Sequence, residues 1–271
     1  MIKLIVTDVD GTLVEDGATS INSRYIEVIK EIISKDIKFM VASGRQYSSI
    51  NALFEPLKDD IIFTTMNGGY ICYKDKEIFS ADVSKENVLE IIEMVRNISG
   101  MEILISDENV DYTDSKSEHF RELLTTRYKG NVKFVENLLE IDYDKIKVKK
   151  VSLYSPTLDI IEESQLFRQK FENKLNVFVA SEFWMDIISN QSSKGNGVKK
   201  IKELYNIKTD EVICFGDQEN DLSMFDECGE TFAMSGAIDE LKKKAKHQLG
   251  SYEDNAVLEV LENILFELKN K

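Results

Sequence analysis

The sequence predicts an α/β fold, with a parallel β-sheet covered by helices on both faces and a second α+β domain inserted into it. Short apolar runs alternate with helix-like segments at both ends of the chain, as is typical of βα units in a parallel sheet. Between them, residues 82–184 lose this alternation and mix short strand patterns with helices. A chain of 271 residues is long enough to form two such units.

Residues 1–81 predict two strand–helix units, a third strand and a hairpin. In order, the predicted elements are a strand at 2–6, a helix at 21–33 with Asn22 as its N-cap, a strand at 37–42, a helix at 47–57 that ends near Pro56, a strand at 61–63, and a hairpin of 70–73 with 77–79. The strands are short apolar runs, which favours buried positions in a sheet.

The same alternation returns in residues 185–271. The predicted elements are a helix at 198–205, a strand at 212–215, a helix at 222–227, a strand at 231–233, and helices at 237–246 and 256–268. We therefore expect residues 1–81 and 185–271 to form one discontinuous core domain.

Residues 82–184 are predicted to form the inserted domain, which is long enough for a small core of its own. Its predicted helices lie at 85–98, 117–127 and 158–171, and its strands at 101–105, 110–113, 132–135, 147–154, 177–180 and 183–188. The chain has two prolines and no Gly/Ser-rich linker, so both boundaries rest on pattern alone. Trp184 could line a substrate pocket, but we expect it to pack in the core of this domain.

The composition, net charge and cysteine spacing of the chain argue against some classes of function. Hydrophobic residues make up 42% of the chain and charged residues 31%, the balance of a soluble globular protein. The net charge of −15 argues against nucleic-acid binding, which needs clustered Lys and Arg, but does not exclude a small phosphorylated ligand. Cys72, Cys214 and Cys228 lack metal-ligand or disulfide spacing. No signal peptide and no apolar stretch of bilayer length is visible, so we expect a cytoplasmic protein that does not bind membranes. We also expect a monomer or a weak homodimer.

Two acids one residue apart directly follow the first predicted strand. Asp8 and Asp10 stand at positions i and i+2 of an extended segment, so both carboxylates can face one small volume. Gly11 lets the chain turn away sharply, and Thr12 offers a hydroxyl that steadies the turn. Crowded carboxylates repel one another unless a cation or proton intervenes, so the pair indicates a hard metal ion.

Three further motifs lie near predicted strand ends or helix starts. Ser43-Gly44-Arg45 could hold a phosphoryl oxygen at a helix N-terminus, although the tripeptide alone also reads as an ordinary N-cap. Lys194-Gly195 precedes a predicted helix, where a lysine is usually a solvated charge. The segment 216–221 places three acids and two amides after a strand, suited to Mg²⁺ or to a capped polar loop. One edge of the sheet could gather all four motifs, which favours the functional interpretation.

The four motifs, in this order and with the long insertion between the second and third, resemble those of the haloacid-dehalogenase-like hydrolases, and in particular the Cof-type phosphatases. The resemblance implies a Rossmann-like core, a large α/β cap that sets substrate specificity, and Mg²⁺-dependent hydrolysis of phosphate monoesters through an aspartyl-phosphate. Two segments depart from the family pattern: 234–237 stands where a Gly-Asn-Ala is frequent, and Ala256 where a glycine is common. Both lie outside the four motifs and bear on substrate fit.

The resemblance also implies a role for each matching residue. Asp8 would be the nucleophile and a metal ligand, Asp10 would bind metal through its main-chain carbonyl and serve as general acid and base, and Asp217 would be the third ligand. The remaining implied roles are phosphoryl binding by Ser43, Gly44 and Lys194, orientation of phosphate or lysine by Asn220, support of the metal site by Thr12 and Asp221, and contact with substrate or cap by Arg45 and Asn67. Arg45 and Asn67 could equally be helix-start and turn residues.

Three classes of function remain open to the sequence. The first is a phosphatase acting on small phosphorylated metabolites such as sugar phosphates, flavin mononucleotide or pyridoxal phosphate. A phosphomutase or phosphotransferase could use the same motifs, with an acceptor hydroxyl in place of water. A non-catalytic protein that binds phosphorylated ligands is the third class, disfavoured because every expected catalytic side chain is present.

Overall fold

Two β-sheets organise the computed structural model, which describes residues 2–127 and 131–270. The strands in chain order are β1 (Leu4–Thr7), β2 (Lys38–Ala42), β3 (Ile62–Thr65), β4 (Tyr70–Tyr73), β5 (Lys76–Ser80), β6 (Glu102–Ser106), β7 (Asp111–Thr113), β8 (Val132–Phe134), β9 (Lys150–Tyr154), β10 (Leu175–Ser181), β11 (Trp184–Ser189), β12 (Val212–Gly216), β13 (Glu230–Ala233) and β14 (His247–Gln248). The predicted α/β fold class is confirmed.

Helices connect most of these strands. The α-helices are α1 (Ser23–Ile33), α2 (Tyr47–Leu53), α3 (Lys85–Arg96), α4 (Glu118–Glu122), α5 (Ile160–Lys170), α6 (Lys194–Tyr205), α7 (Leu222–Phe225), α8 (Asp239–Lys244) and α9 (Ala256–Lys269). Short 3₁₀ turns lie at Glu55–Leu57, Met66–Gly68, Leu138–Glu140, Thr209–Glu211 and Glu219–Asp221, and a π-helical turn lies at Leu123–Arg127. Within the described ranges, no helix is both long and apolar enough to span a bilayer.

The first sheet has the order β14-β13-β12-β1-β2-β3-β4-β5. Its strands run parallel from β14 to β3, and the β4–β5 hairpin adds two antiparallel strands at one edge. The strand β1 lies between β12 and β2, with Leu4 paired to both Val212 and Lys38. Because these three neighbours are parallel, the segments that follow them meet at one edge of the sheet.

Both faces of the first sheet are buried under helices. Ile5 and Phe39 pack on the face covered by α1, α2 and α9, whereas Leu4, Val6 and Met40 pack on the face covered by α6, α7 and α8. Alternate residues of an extended strand point to opposite faces, so a strand covered on both sides must be apolar throughout. This requirement explains the continuous apolar runs in the sequence.

The second sheet has the order β10-β11-β9-β6-β7-β8 and is antiparallel except for the β7–β8 pair. One face packs against α3 and α5 through apolar residues such as Ile103, Val151 and Ile187. The strand β11 continues to Ser189, past residue 184 where the inserted segment was predicted to end, because its pairing with β9 continues to Ile188. The opposite face is described with the cavity below.

Several element bounds differ from the predictions for local reasons. The helix α6 begins at Lys194 rather than at 198, because the Ser193 side chain accepts a hydrogen bond from the Asn196 N–H and caps the helix there. The predicted helix at 47–57 is α2 followed by the 3₁₀ turn that contains Pro56. The two-residue strand β14 was not predicted, since a short polar strand at a sheet edge carries no apolar signal.

Candidate active site

The four sequence motifs meet at the carboxyl edge of the first sheet. Asp8 follows β1, the segment 43–45 follows β2, and Asp217 follows β12, while Lys194 enters from the first turn of α6. A cavity of about 480 Å³ opens at this edge. Asp8, Asp10 and Asp217 line the cavity on the side of the first sheet, which we call its base.

Three buried carboxylates cluster at the base of the cavity. Asp8, Asp217 and Asp221 each place one oxygen within 4.8 Å of the other two. Gly11 makes this approach feasible: its φ is +75°, and a Cβ there would lie 2.3 Å from Asp217 Oδ2. A side chain at position 11 would therefore both strain the turn and displace Asp217.

Lys194 is the cation of this cluster. Its Nζ lies 2.5 Å from Asp8 Oδ1 and 2.6 Å from Asp221 Oδ1, and its side chain is 1% exposed. Burial alone would lower the pKa of Lys194, but the carboxylates of Asp221 and Asp8 outweigh burial and raise this pKa. The lysine therefore stays protonated, with one positive charge beside three carboxylates.

The carboxylates carry more negative charge than Lys194 can balance. Burial, with repulsion from Asp221 and Asp217, raises the pKa of Asp8 well above its ordinary value in spite of Lys194. Burial and the neighbouring Asp221 raise the pKa of Asp217 to about 7. Because burial and mutual repulsion disfavour the charged forms of Asp8 and Asp217, a bound cation would stabilise these carboxylates.

The hydrogen bonds show which oxygens are available to such a cation. Asp221 is fully engaged, because Oδ1 meets Lys194 and Oδ2 accepts the N–H groups of Asp217 and Gln218 at 2.9 and 3.0 Å. Among the residues described, Asp8 Oδ2 and Asp217 Oδ1 receive only the distant Thr12 hydroxyl, at 3.4 Å from each. These hard oxygens, with no thiolate or imidazole in the described cluster, fit Mg²⁺.

The second acid of the first motif is held apart from the cluster. Arg45 Nε donates to Asp10 Oδ2 at 2.8 Å, and a second bond joins Arg45 Nη2 to Asp10 Oδ1. The Gly17 N–H also donates to Oδ1 at 3.1 Å, and Arg45 Nη1 donates to the Ala18 carbonyl at 2.6 Å. Asp10 therefore has a fixed orientation beside Asp8.

Of the residues predicted to bind substrate, Gly44 and Arg45 line the cavity, whereas Asn67 does not. Ser43 is buried, and its Oγ accepts the Arg45 N–H at 3.1 Å, whereas Gly44 and Arg45 line the cavity. Asn67 is 1% exposed and does not line the cavity; it donates to Asp186 Oδ2 at 3.0 Å and accepts from Asn220 at 2.9 Å. The structure thus brings Asn67 to the second sheet, and its contact with substrate stays a prediction.

The wall of the cavity opposite Asp8 consists of residues that, apart from Trp184, the sequence did not single out. They share one face of the second sheet or the adjacent loop after β2, and include Gln46, Leu104, Ser106, Asp111, Lys150, Ser152, Trp184 and Asp186. Trp184 packs against a cluster that contains Phe120 and Tyr154 and also lines the cavity, so the structure shows both the expected packing and the pocket-lining alternative. The available signal was the alternation of polar and apolar residues along β9 and β11, which marks one open face.

An ion pair connects the unit of the second sheet to the loop after β12, which carries Asp217. Glu219 stands between Asp217 and Asp221, and its two carboxylate oxygens accept from Arg168 Nη2 on α5 at 2.8 and 3.1 Å. The Val179 N–H of β10 donates to Glu219 at 3.2 Å. The loop that carries Asp217 is therefore anchored to α5 and to β10.

We expect Arg168→Met to weaken Mg²⁺ binding modestly, because it frees this loop without touching a ligand. A partly exposed ion pair is worth about 0.2–1 kcal/mol, so the dissociation constant should rise by up to about fivefold. Calorimetric titration with Mg²⁺ measures this change. The matched control is Lys170→Met, which breaks the 2.6 Å ion pair of Lys170 with Glu90 away from the loop. An equal shift in both variants would contradict the anchoring role.

Known proteins match this chain over nearly its whole length. A model of the haloacid dehalogenase-like hydrolase family matches residues 5–261. The chain is 28% identical over 267 residues to the 5-amino-6-(5-phospho-D-ribitylamino)uracil phosphatase YbjI of Escherichia coli (strain K12), covering 97% of this chain and 96% of that protein. It is 25% identical over 285 residues to the 5-amino-6-(5-phospho-D-ribitylamino)uracil phosphatase YwtE of Bacillus subtilis (strain 168), covering 97% of this chain and 98% of that protein.

A solved structure shares the fold. The haloacid dehalogenase-like hydrolase from Bacteroides thetaiotaomicron superposes with a TM-score of 0.81 at 24% identity, covering 97% of this chain and all of that one. The family model spans the sheet edge with its acidic cluster and Lys194. The chain therefore belongs to the haloacid dehalogenase-like hydrolases, and its relatives YbjI and YwtE, matched over nearly their whole length, are both named phosphatases.

Proposed function

We propose that the protein is a Mg²⁺-dependent phosphatase that hydrolyses phosphate monoesters of small metabolites through an aspartyl-phosphate on Asp8. The observation that carries this proposal is the setting of Asp8 at the base of the cavity. One of its oxygens is held by Lys194. The other receives, from the part of the chain that the structure describes, only the distant Thr12 hydroxyl and is available to react. A carboxylate fixed by one oxygen can present the second to an electrophile without losing its orientation.

The chemistry divides into two displacements at phosphorus. In the first, an Asp8 oxygen forms a bond to phosphorus as the bond to the leaving oxygen breaks, and Asp10 gives that oxygen a proton. In the second, water attacks the aspartyl-phosphate, Asp10 takes a proton from it, and inorganic phosphate leaves with Asp8 restored. Arg45 keeps Asp10 beside Asp8 through both steps.

The remaining groups hold the phosphoryl oxygens. Lys194, the Gly44 N–H and the Ser43 hydroxyl offer donors where negative charge gathers in the transition state. Mg²⁺ held by Asp8, Asp217 and the Asp10 carbonyl would supply the charge that offsets repulsion between Asp8 and an anionic substrate. Asp221 would keep Lys194 and the loop after β12 in place.

We also propose that the second sheet and its helices act as the cap predicted from residues 82–184, with its end after Ser189. The supports are the separate apolar core under this sheet and its open face above the cavity. The groups around Asp8 contact only the phosphoryl group, so discrimination between metabolites falls to the cap. Small phosphorylated metabolites, sugar phosphates among them, suit a cavity of about 480 Å³.

A screen of phosphorylated metabolites for Mg²⁺-dependent phosphate release tests the proposed function. Excess chelator should abolish release, and added Mg²⁺ should restore it. Release in the absence of any acceptor alcohol distinguishes a phosphatase from a phosphotransferase. Full activity in excess chelator would overturn the metal requirement.

Asp217→Ala should weaken Mg²⁺ binding severely, because it removes a ligand that Gly11 leaves room for. Loss of a residue that only supports a ligand costs about 10–100-fold in metal affinity, so loss of Asp217 should cost at least as much. Calorimetry and the Mg²⁺ dependence of phosphate release measure the effect. The control Asp226→Ala removes an exposed acid on the same domain and should leave the affinity unchanged. An unchanged affinity in Asp217→Ala would remove it from the ligand set.

A further inference from the structure

The segment that follows β2 is held in place mainly by its own domain. We call this segment, Ser43-Gly44-Arg45, the phosphoryl loop. The carbonyls of Ser43 and Arg45 accept hydrogen bonds from the N–H groups of Asn67 and Met66, both at 3.0 Å. The Ser43 N–H donates to the Thr64 carbonyl at 2.8 Å, and the Arg45 N–H donates to the Ser43 side chain at 3.1 Å. The first and third residues of the loop are therefore fixed by β3 and by the turn that follows it.

Gly44, the middle residue of the phosphoryl loop, is held differently. Its N–H makes no hydrogen bond with the residues described, so it is available to a phosphoryl oxygen. Its carbonyl accepts a hydrogen bond at 2.8 Å from Nζ of Lys150, a residue of β9 in the second sheet. Since a glycine has no Cβ, the peptide groups on both sides of it rotate with little steric hindrance. The most flexible residue of the loop is thus bonded to the other domain.

Lys150 is itself held in one orientation by Asp186. Its Nζ lies 3.1 Å from Asp186 Oδ2, and the two side chains are 13% and 6% exposed. Asp186 Oδ2 also accepts from Asn67 Nδ2 at 3.0 Å, and Asp186 Oδ1 accepts from the Ser152 hydroxyl at 2.6 Å. Both oxygens of Asp186 are therefore hydrogen-bonded, and its charge offsets that of Lys150. A buried polar network that is satisfied in this way is rigid.

The direction of the Gly44 carbonyl matters because the phosphoryl oxygens carry negative charge in the transition state. An N–H group that faces these oxygens stabilises them, whereas a carbonyl oxygen turned toward them would repel them. The bond from Lys150 keeps the Gly44 carbonyl on the second sheet. Donors that are held in place before the reaction need no reorganisation during it.

We propose that Lys150, oriented by Asp186, is a positioning residue that holds the Gly44 peptide group for phosphoryl transfer. This inference rests on the proposed phosphatase function, and it gives the second sheet a part in the reaction itself, beyond selection of the metabolite. The effect of Lys150 reaches the phosphoryl group and not the leaving group. Every substrate should therefore depend on Lys150, however small the substrate is.

Lys150→Met tests this inference with two substrates of different size. Acetyl phosphate contains little besides the phosphoryl group, and the second substrate is the metabolite hydrolysed fastest in the screen described above. Misplacement of a group that stabilises the transition state should lower kcat by about 10–100-fold, with a smaller change in KM. The factor should be similar for both substrates. Phosphate release under saturating Mg²⁺ measures it.

Binding of inorganic vanadate provides a readout without turnover. Vanadate adopts the five-coordinate geometry of phosphorus in the transition state and has no leaving group to contact the second sheet. In calorimetric titration with saturating Mg²⁺, its affinity should fall in Lys150→Met by a factor similar to that in kcat.

Lys202→Met is the matched control. Lys202 is 11% exposed, and its Nζ donates to the carbonyl and to the carboxylate of Glu227, both at 2.8 Å, without lining the cavity. Both variants lose a buried lysine that bonds a carbonyl and a carboxylate, so Tm should fall by a similar amount in each. Only Lys150→Met should lose kcat and vanadate affinity.

Asp186→Asn tests the link between Asp186 and Lys150. It removes the charge that orients Lys150 and should also lower kcat for both substrates. Because the two residues act on the same loop, the combined loss in the double variant should be smaller than the product of the two single losses. Losses that multiply fully would show that Asp186 does not act through Lys150.

The outcomes separate this inference from the function on which it rests. A loss confined to the larger substrate, with vanadate affinity unchanged, would show that Lys150 contacts the leaving group; the positioning role would be overturned and the phosphatase would stand. Equal losses in Lys150→Met and Lys202→Met would also overturn the positioning role. Weaker vanadate binding in Lys150→Met, in a protein that releases phosphate from no compound, would support the positioning role and refute the phosphatase proposal. Neither vanadate binding nor phosphate release by the wild-type protein would overturn both.

Discussion

The Asp8→Asn variant should release no measurable phosphate from any substrate while keeping its fold. Asparagine matches aspartate in size but is not nucleophilic, so the first displacement loses its attacking atom. The variant also loses one of the two carboxylates that have oxygens available for a metal. Phosphate release, measured over hours with saturating Mg²⁺, gives the effect.

The fold should survive because Lys194 keeps its second partner, Asp221, at 2.6 Å. Burial raises the pKa of Asp8, which means that its charge is disfavoured in the folded protein. Removing that charge should therefore leave the Tm of the metal-free protein equal or higher, as is common when a strained catalytic group is neutralised. The control Asp36→Asn replaces an exposed acid and should keep full activity. Near-wild-type activity in Asp8→Asn would refute the covalent route.

Most residues at the base of the cavity, around Asp8, could be predicted to lie together because they follow the ends of strands. Asp8, the segment 43–45 and Asp217 directly follow apolar runs that can only be buried parallel strands, and parallel neighbours end at the same edge. No long-range contact had to be guessed to gather them. Lys194 was also identified from the sequence, although its helix was predicted to begin at 198. The predicted start was late because Gly195 and Gly197 have low helix propensity, so the first turn does not show a helical pattern.

The residues of the second sheet that line the cavity could not be predicted from the sequence, because their position depends on the register between strands. Ser106, Lys150 and Asp186 come together only when β6, β9 and β11 pair in one alignment, and a shift by one residue would turn each to the opposite face. A single sequence shows that these strands have one polar face. It does not show that this face is turned toward Asp8, which depends on contacts such as that of Asn67 with Asp186.

Asp10→Asn separates the roles of the two acids that open the chain. It should lower the rate of phosphate release by about 10²–10⁴-fold, the range that general acid–base catalysis supplies. Mg²⁺ affinity measured by calorimetry should be nearly unchanged, because the proposed contact at position 10 is the main-chain carbonyl. The loss should be smaller for an aryl phosphate, whose leaving oxygen needs little protonation.

The structure adds a control, because Asp10 is also the partner of Arg45 at 2.8 Å. Arg45→Met keeps the carboxylate but removes its anchor, so any loss in that variant should be similar for good and poor leaving groups. In Asp10→Asn, by contrast, rapid mixing with an aryl phosphate should show a burst of leaving group followed by slow steady release, since the same carboxylate activates the attacking water. A variant without a burst and equally slow for every leaving group would show that Asp10 only positions Arg45, and acid–base catalysis would then have to come from another group that lines the cavity.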